Sequence, residues 1–194
     1  MKAGAKEKIC SAFLELVSRK SVDDITVSEL ISAAGVNRST FYYHFSSTHE
    51  VLKYTMDDFC GRYLSALAIP NGEIAKNISQ SSQETLEKSV CDYIREAGHV
   101  VPIFLQKEHY WLFHQCFQDA FDNYCCVHTI VKISPDGHSE KLKRGVFYDY
   151  YVHMSCQQLF GILECWASRN FSETEEDFIR IFNTLHSTAI SFQG

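Results

Sequence analysis

Apolar positions recur at three- and four-residue spacing along most of the chain, which predicts helices throughout. From about Lys6 to Lys20, the residues Ile9, Phe13, Leu16 and Val17 make one stripe. Ser21 to Asp24 interrupts it. Thr26-Val27-Ser28-Glu29 then reads as a capping box opening a second helix. Its buried face is Leu30, Ile31 and Ala34. Gly35 falls where a helix end favours a left-handed residue. Asn37 is placed to cap a third helix, Arg38 to His44. Ser47-Thr48-His49-Glu50 is a further capping box, opening a helix that carries Val51, Leu52, Met56, Phe59, Tyr63 and Leu67.

A break follows at Ile69-Pro70-Asn71-Gly72, continued by polar residues from Asn77 to Gln83. Beyond it the pattern predicts helices over about Gln83–Ala97, a short one around Pro102, and a long one over Glu108–Lys132. Ser134-Pro135-Asp136-Gly137 reads as a turn. Another long helix is predicted over Glu140–Ser168. A cap at Ser172-Glu173-Thr174-Glu175 opens a last helix running to about Phe192. No internal repeat and no strand pattern stands out. The expectation is an all-α chain, with a three-helix head over residues 1–50 and a larger helical domain over 51–194.

Composition supports that picture. The 194 residues are 45% hydrophobic, with only three prolines and nine glycines, so long helices and a substantial core are permitted. No apolar run approaches the roughly 20 residues of a membrane span. The N-terminus lacks a signal-peptide core. A cytoplasmic protein without a membrane partner is expected. Its eight cysteines then read mostly as small core hydrophobes rather than disulfides. The net charge of -6 is unevenly spread. Residues 1–53 carry seven basic and six acidic side chains, so the acidity lies in the remainder and a local nucleic-acid-binding face is allowed.

Two short helices joined by Ala34-Gly35-Val36-Asn37 fit a helix-turn-helix. Phe41 and Phe45, four apart, share the inner face of the third helix, and Val36 points inward. Arg38, Ser39, Thr40, Tyr42, Tyr43 and His44 remain for other directions. Arg38, Ser39 and Thr40 lie in the first turn, which in a recognition helix reaches base edges. Arginine matches guanine O6 and N7, and threonine offers a hydroxyl or a methyl. Tyr42, Tyr43 and His44 are placed to donate to phosphates. Thr26 and Ser28 begin the second helix, where amides and dipole favour a phosphate. The plain alternative is an ordinary pair of short helices.

The stretch Ile25-Thr26-Val27-Ser28-Glu29-Leu30, with Ala34-Gly35-Val36-Asn37-Arg38-Ser39-Thr40-Phe41-Tyr42-Tyr43-His44-Phe45, closely resembles the signature of the TetR family of repressors. The resemblance covers about the first quarter of the chain. It implies a homodimeric, all-helical regulator that binds a double-stranded DNA operator through its head. A divergent C-terminal domain then binds a small effector and dimerises. One departure is notable. The family usually has a lysine near the start of the fourth helix as a phosphate contact; here that place is Thr48, followed by His49, and the Thr48 hydroxyl is still a candidate to bond a phosphate. One fixed charge is lost, which predicts a shallower salt dependence.

The region from Ile103 to Tyr124 is dense in aromatic side chains. Phe113, Phe117, Phe121 and Tyr124 follow helical spacing, as a packed core would. The sharper alternative is an apolar effector pocket with some polar groups, with Trp111, His114, Phe117, Tyr148 and Tyr151 as candidate lining and Gln115 nearby. The last two helices carry more apolar surface than one domain normally buries. Phe160, Leu163 and Trp166 on one and Phe178, Ile181, Phe182 and Leu185 on the other are candidates for the dimer interface that the resemblance implies. The tail from Gly161 to Glu173 loosely resembles short family members grouped with regulators of dihydroxyacetone kinase operons.

A metal- or thiol-responsive regulator is the main rival. His109, His114, Cys116, Cys125, Cys126 and His128 lie close in sequence. However, His114 and Cys116 do not share a helical face, Cys125 and Cys126 point apart, and no Cys-x-x-Cys appears. No metal or cofactor is expected. An effector-independent DNA-binding protein is a third reading. For an enzyme, the sequence offers no nucleophile elbow, P-loop, dinucleotide fingerprint or His-Glu-x-x-His.

Overall fold

The computed structural model describes residues 4–66, 80–127, 131–133, 139–141 and 143–188. The expected breaks at Ile69–Gly72 and Ser134–Gly137, and the residues Leu67 and His128, lie outside these. The helices are α1 (Ala5–Val17), α2 (Val27–Ala34), α3 (Arg38–His44), α4 (Thr48–Ala66), α5 (Gln80–Ala97), α6 (Val101–Phe104), α7 (Tyr110–Val127), α8 (Val146–Ser168) and α9 (Glu175–Thr188). Single 3-10 turns occupy Val22–Asp24 and Gly98–Val100. The chain is all-α in class, with one addition. Strands β1 (Val131–Ile133) and β2 (Ser139–Lys141) pair antiparallel, with Val131 opposite Lys141 and Ile133 opposite Ser139. Sequence spacing predicts helix at the ends of both flanking segments instead. Three residues per strand are too few for an alternating pattern to emerge from the helical sequence on either side.

The chain folds as two compact units. One comprises Met1–Cys60 with Val100–Cys116, the other Gly61–His99 with Phe117–Gly194. The first unit therefore extends beyond residue 50 and takes in a second stretch of chain, which no boundary drawn on a linear sequence would include. Its core collects Ile9, Phe13 and Val17 from α1, Leu30 from α2, Phe41 from α3, and Val51, Leu52 and Met56 from α4. At its other end Phe59, Phe104 and Phe113 form a triangle with ring centroids 5.2–6.0 Å apart.

In the second unit Phe117 is fully buried, 5.9 Å from Tyr63 and 5.2 Å from Phe160. The aromatic stripe of α7 is thus packed core over Phe113, Phe117 and Phe121, and Tyr124 is half-buried. Helix α9 is capped two residues later than the Ser172 position suggests: the Asp177 amide donates to the Thr174 hydroxyl at 3.1 Å. The turn before it places Asn170 and Phe171 in succession at φ 54° and 53°. Among the described residues, no helix is long and apolar enough to cross a membrane.

Candidate nucleic-acid interface

The site is built on α2, the turn after it, and α3. Helix α2 starts at Thr26, whose hydroxyl accepts the Glu29 amide at 3.2 Å. The expected return bond differs. The Glu29 carboxylate accepts from Lys20 Nζ, which also donates to the Asp24 carbonyl at 2.9 Å. A cation from the segment after α1 competes better for a carboxylate than a neutral amide does. This pair ties α1 to the start of α2.

Gly35 ends α2 at φ 61°, ψ 36°, in the left-handed region. The Val36 amide reaches back to the Ile31 carbonyl at 3.2 Å, as in a Schellman closure. Val36 is half-buried behind it. The chain then enters α3 at Asn37. Its side-chain oxygen accepts both the Thr40 amide and the Ser39 hydroxyl at 2.7 Å.

Phe41 and Phe45 anchor α3 from below, both buried, with centroids 6.2 Å apart. With that face fixed, Arg38, Ser39, Tyr42 and Tyr43 are exposed, Tyr43 by 84%, while Thr40 and His44 are half-buried. Arg38 and Tyr42 are coupled. The guanidinium donates to the Tyr42 hydroxyl at 3.4 Å and lies 5.5 Å from its ring centroid. Because the phenol oxygen accepts that bond, its own proton stays available for a phosphate. The i,i+4 spacing makes this coupling legible in sequence, although residue type alone gives the two side chains separate tasks.

Thr26 and Ser28, at the start of α2, are both exposed. Thr48 is different. It is only 9% exposed, so its side chain offers little to a ligand. The cap of α4 is Ser47, which accepts the Glu50 amide at 3.2 Å. The Glu50 carboxylate reaches past the cap to the amide and hydroxyl of Ser46, at 2.6 and 2.7 Å. Those two bonds hold its carboxyl below the usual carboxylate range. His49 faces Asp23 at 3.3 Å. Lys6 lies 3.7 Å from the Tyr54 ring centroid and 5.6 Å from that of Phe45, seating the start of α1 on the α3–α4 junction. Pattern reading passes over Lys6 and Lys20, because both act through neighbours distant in sequence.

The candidates outside the head fare unevenly. Trp111 is 77% exposed, and the half-buried His114 meets it edge-on at 6.2 Å. Phe117 is sealed in the core, and the Tyr148 hydroxyl donates to the Cys125 carbonyl at 3.3 Å. Tyr151 is half-buried. The second unit does contain a half-open cavity of about 250 Å³, but it is lined by α8 and α9 residues including Gln157, Gly161, Trp166 and Phe178. The interface candidates Phe160, Leu163, Trp166 and Phe178 are core residues of the single chain: all are buried within it, and Trp166 stacks on Phe178 at 3.8 Å. Their size suggests a partner; their own neighbours cover them. Ile181 is exposed, and the side chains of Phe182 and Leu185 lie outside the described residues. Among the described residues no group of three or more His, Cys, Asp and Glu gathers as metal ligands.

A turn-linked helix pair with an anchored inner face and an exposed polar outer face, on a largely helical chain, has the arrangement of a helix-turn-helix DNA-binding head. Residues 9–55 match the family described as "Bacterial regulatory proteins, tetR family". The chain is 34% identical over 68 residues to the Bacillus subtilis (strain 168) protein described as "Uncharacterized HTH-type transcriptional regulator YvdT", a match spanning 31% of this chain and 35% of that protein. The fold is shared along nearly the whole length. The Syntrophomonas wolfei protein described as "Putative TetR-family transcriptional regulator" superimposes with a TM-score of 0.65 at 16% identity, covering 97% of this chain and 96% of that one. FadR from Bacillus subtilis, in complex with stearoyl-CoA, gives 0.55 at 14% identity, covering 96% and 98%. Residues 9–55 are thus similar to the DNA-binding head of the TetR family, and beyond them the likeness to its members is one of fold.

Proposed function

We propose that the protein is a homodimeric repressor, acting in the cytoplasm, that is released from a near-palindromic operator by a small-molecule effector. The observation that carries this reading is the outer face of α3. Arg38, Ser39, Tyr42 and Tyr43 are exposed together because Phe41 and Phe45 are held in the core. Arg38 reads a base, held at its working height by Tyr42. Thr26, Ser28, Tyr42, Tyr43 and His44 contact phosphates. Asn37 and Ser39, already bonded to each other, order the first turn, and the half-buried Thr40 reaches a base edge with its methyl. Thr48 contributes least.

Two heads on one operator require successive major grooves, roughly 34 Å apart or a longer helical-turn multiple. An effector that prefers one separation of the heads shifts the population away from DNA. FadR holds stearoyl-CoA in a fold of this kind, which supports an effector in the helical domain here while leaving its chemistry to experiment.

The test is selection of bound duplexes from a random pool by the full chain. Enrichment of inverted repeats at such spacing is expected. Enrichment of single half-sites would reject the dimeric reading, and no enrichment would reject sequence-specific binding. A thermal-shift screen of small molecules addresses the effector. A ligand specific for the folded state raises the melting temperature by mass action.

A further inference from the structure

Where α8 turns into α9, the chain buries a donor and an acceptor that its own groups leave unpaired. Trp166 is 7% exposed, and its indole Nε1 finds no acceptor among the described residues. Glu173 is nearly as deep, with a side chain 12% exposed. Arg169 Nε donates to its Oε1, but its Oε2 accepts from no donor among the described residues. Buried polar atoms are almost always hydrogen-bonded, because an orphan carries the full cost of leaving water. An orphaned donor and an orphaned acceptor in one place are the two halves of a binding contact.

Both residues line the half-open cavity of about 250 Å³ between α8 and α9, and both also line a smaller one of about 60 Å³ beside α5. The turn brings them there. Asn170 and Phe171 are left-handed, and the Phe171 amide donates back to the Trp166 carbonyl at 3.0 Å, so the chain reverses and returns Glu173 to the end of α8. Elsewhere the larger cavity is walled mainly by apolar groups, among them Gly161, Ile162, Phe178 and Ile181. An apolar cavity of about 150 Å³ already takes a benzene ring, so this one has room for a ring and a short substituent. The nearby charges are already balanced. Arg169 pairs with Glu173, and Arg95 pairs with Glu175 at 2.7 Å. A neutral ligand suits such a site better than an ion, which would add an unbalanced charge.

We infer that the cavity between α8 and α9 binds a small neutral ligand with an apolar body and one hydroxyl group, whose oxygen accepts from Trp166 Nε1 and whose proton is donated to Glu173 Oε2. A hydroxyl combines donor and acceptor on one atom. An ether or ketone would satisfy Trp166 alone, an ammonium Glu173 alone, and a carboxylate would meet the Glu173 charge. A water molecule makes the same two bonds but fills apolar walls poorly. A hydroxylated ligand reproduces those bonds and covers the walls as well. The inference rests on the effector reading above and gives it a place and a ligand class.

The chain has two tryptophans, so Trp111→Phe in the full chain leaves Trp166 as the sole indole. With nitrogen-15 tryptophan, its Nε1–H gives a single nuclear magnetic resonance signal. The probes are 4-ethylphenol, its methyl ether and 4-ethylbenzylammonium. The phenol should move the Trp166 indole proton downfield and saturate, while the ether and the ammonium bind roughly tenfold or more weakly. Equal binding of phenol and ether would overturn the hydroxyl contact, and tightest binding of the ammonium would overturn the neutral ligand class. A Trp166 signal unmoved by all three would overturn the site. Glu173→Gln, with its fold checked by circular dichroism, should erase most of the preference for phenol over ether. A preference kept in full would show that Glu173 is not the acceptor. If that variant does not fold, the three probes on the Trp111→Phe chain decide alone. The effector reading is judged separately by the thermal-shift screen. An effector found there that leaves the Trp166 signal unmoved defeats this site and leaves that reading standing.

Discussion

Asn37 shows how much one side chain sets at the entrance to α3. It accepts the Thr40 amide and the Ser39 hydroxyl together, so it caps the helix and orders its first turn, the one proposed to face DNA. Asn37→Ala should destabilise the chain by about 1 kcal/mol, the usual cost of a lost cap, and Asn37→Asp should restore most of it. Urea unfolding of the three proteins measures the difference. The cysteines divide equally sharply. Burial pushes the thiols of Cys10 and Cys125 up to about 11 and that of Cys156 to about 12, while Cys126 and Cys165 are exposed. Iodoacetamide at pH 8 should label Cys126 and Cys165 rapidly and the three others slowly, read by mass spectrometry. Because the folded state holds those three protons above the ordinary thiol value of about 9, the unfolded chain ionises first. Their contribution to stability is complete below about pH 9 and is lost as pH rises through about 11 and 12.

At the scale of elements, two glycines are needed for different reasons. Gly35 stands at φ 61° with open space where a Cβ would point, so Gly35→Ala meets a backbone cost alone, about 1–2 kcal/mol. Gly98 is a packing glycine. A Cβ there would lie 3.0 Å from Ile94 Cγ2 and 3.3 Å from the Phe171 ring. Gly98→Ala should destabilise by about 1–3 kcal/mol through overpacking. The distinction is testable, since adding Phe171→Leu should recover part of the loss at Gly98 and none at Gly35. Thermal melts of the single and double variants supply that comparison.

For the whole molecule, charge decides how binding responds to salt. The chain carries a net charge of -6, and the fourth-helix position where the family usually has lysine is a buried threonine. Thr48→Lys should tighten operator binding and steepen the plot of log affinity against log salt by roughly 0.9 for each additional phosphate that it neutralises. An unchanged slope would show that a cation at this position does not reach DNA. Arg38→Ala offers the complementary measurement. It should lower affinity most for operators with the preferred base, and an equal loss on all sequences would mean that Arg38 touches only phosphate.

The sequence by itself determined the head. Caps at Thr26 and Asn37, the glycine at the turn, and Phe41 and Phe45 four apart are interactions over a few residues, so spacing alone reports them. Tertiary structure decided the rest. Glu29 turned to Lys20, nine residues away, because a nearby ammonium outcompetes an amide. Val100–Cys116 joined the first unit through aromatic contacts between segments far apart in the chain. Phe160, Leu163 and Trp166 proved internal, while Phe147, Tyr150 and Met154 proved external. All six are large and apolar and lie on one helix, and a residue's type records how much it gains from leaving water. It does not record which neighbour, within the chain or beyond it, takes the water's place.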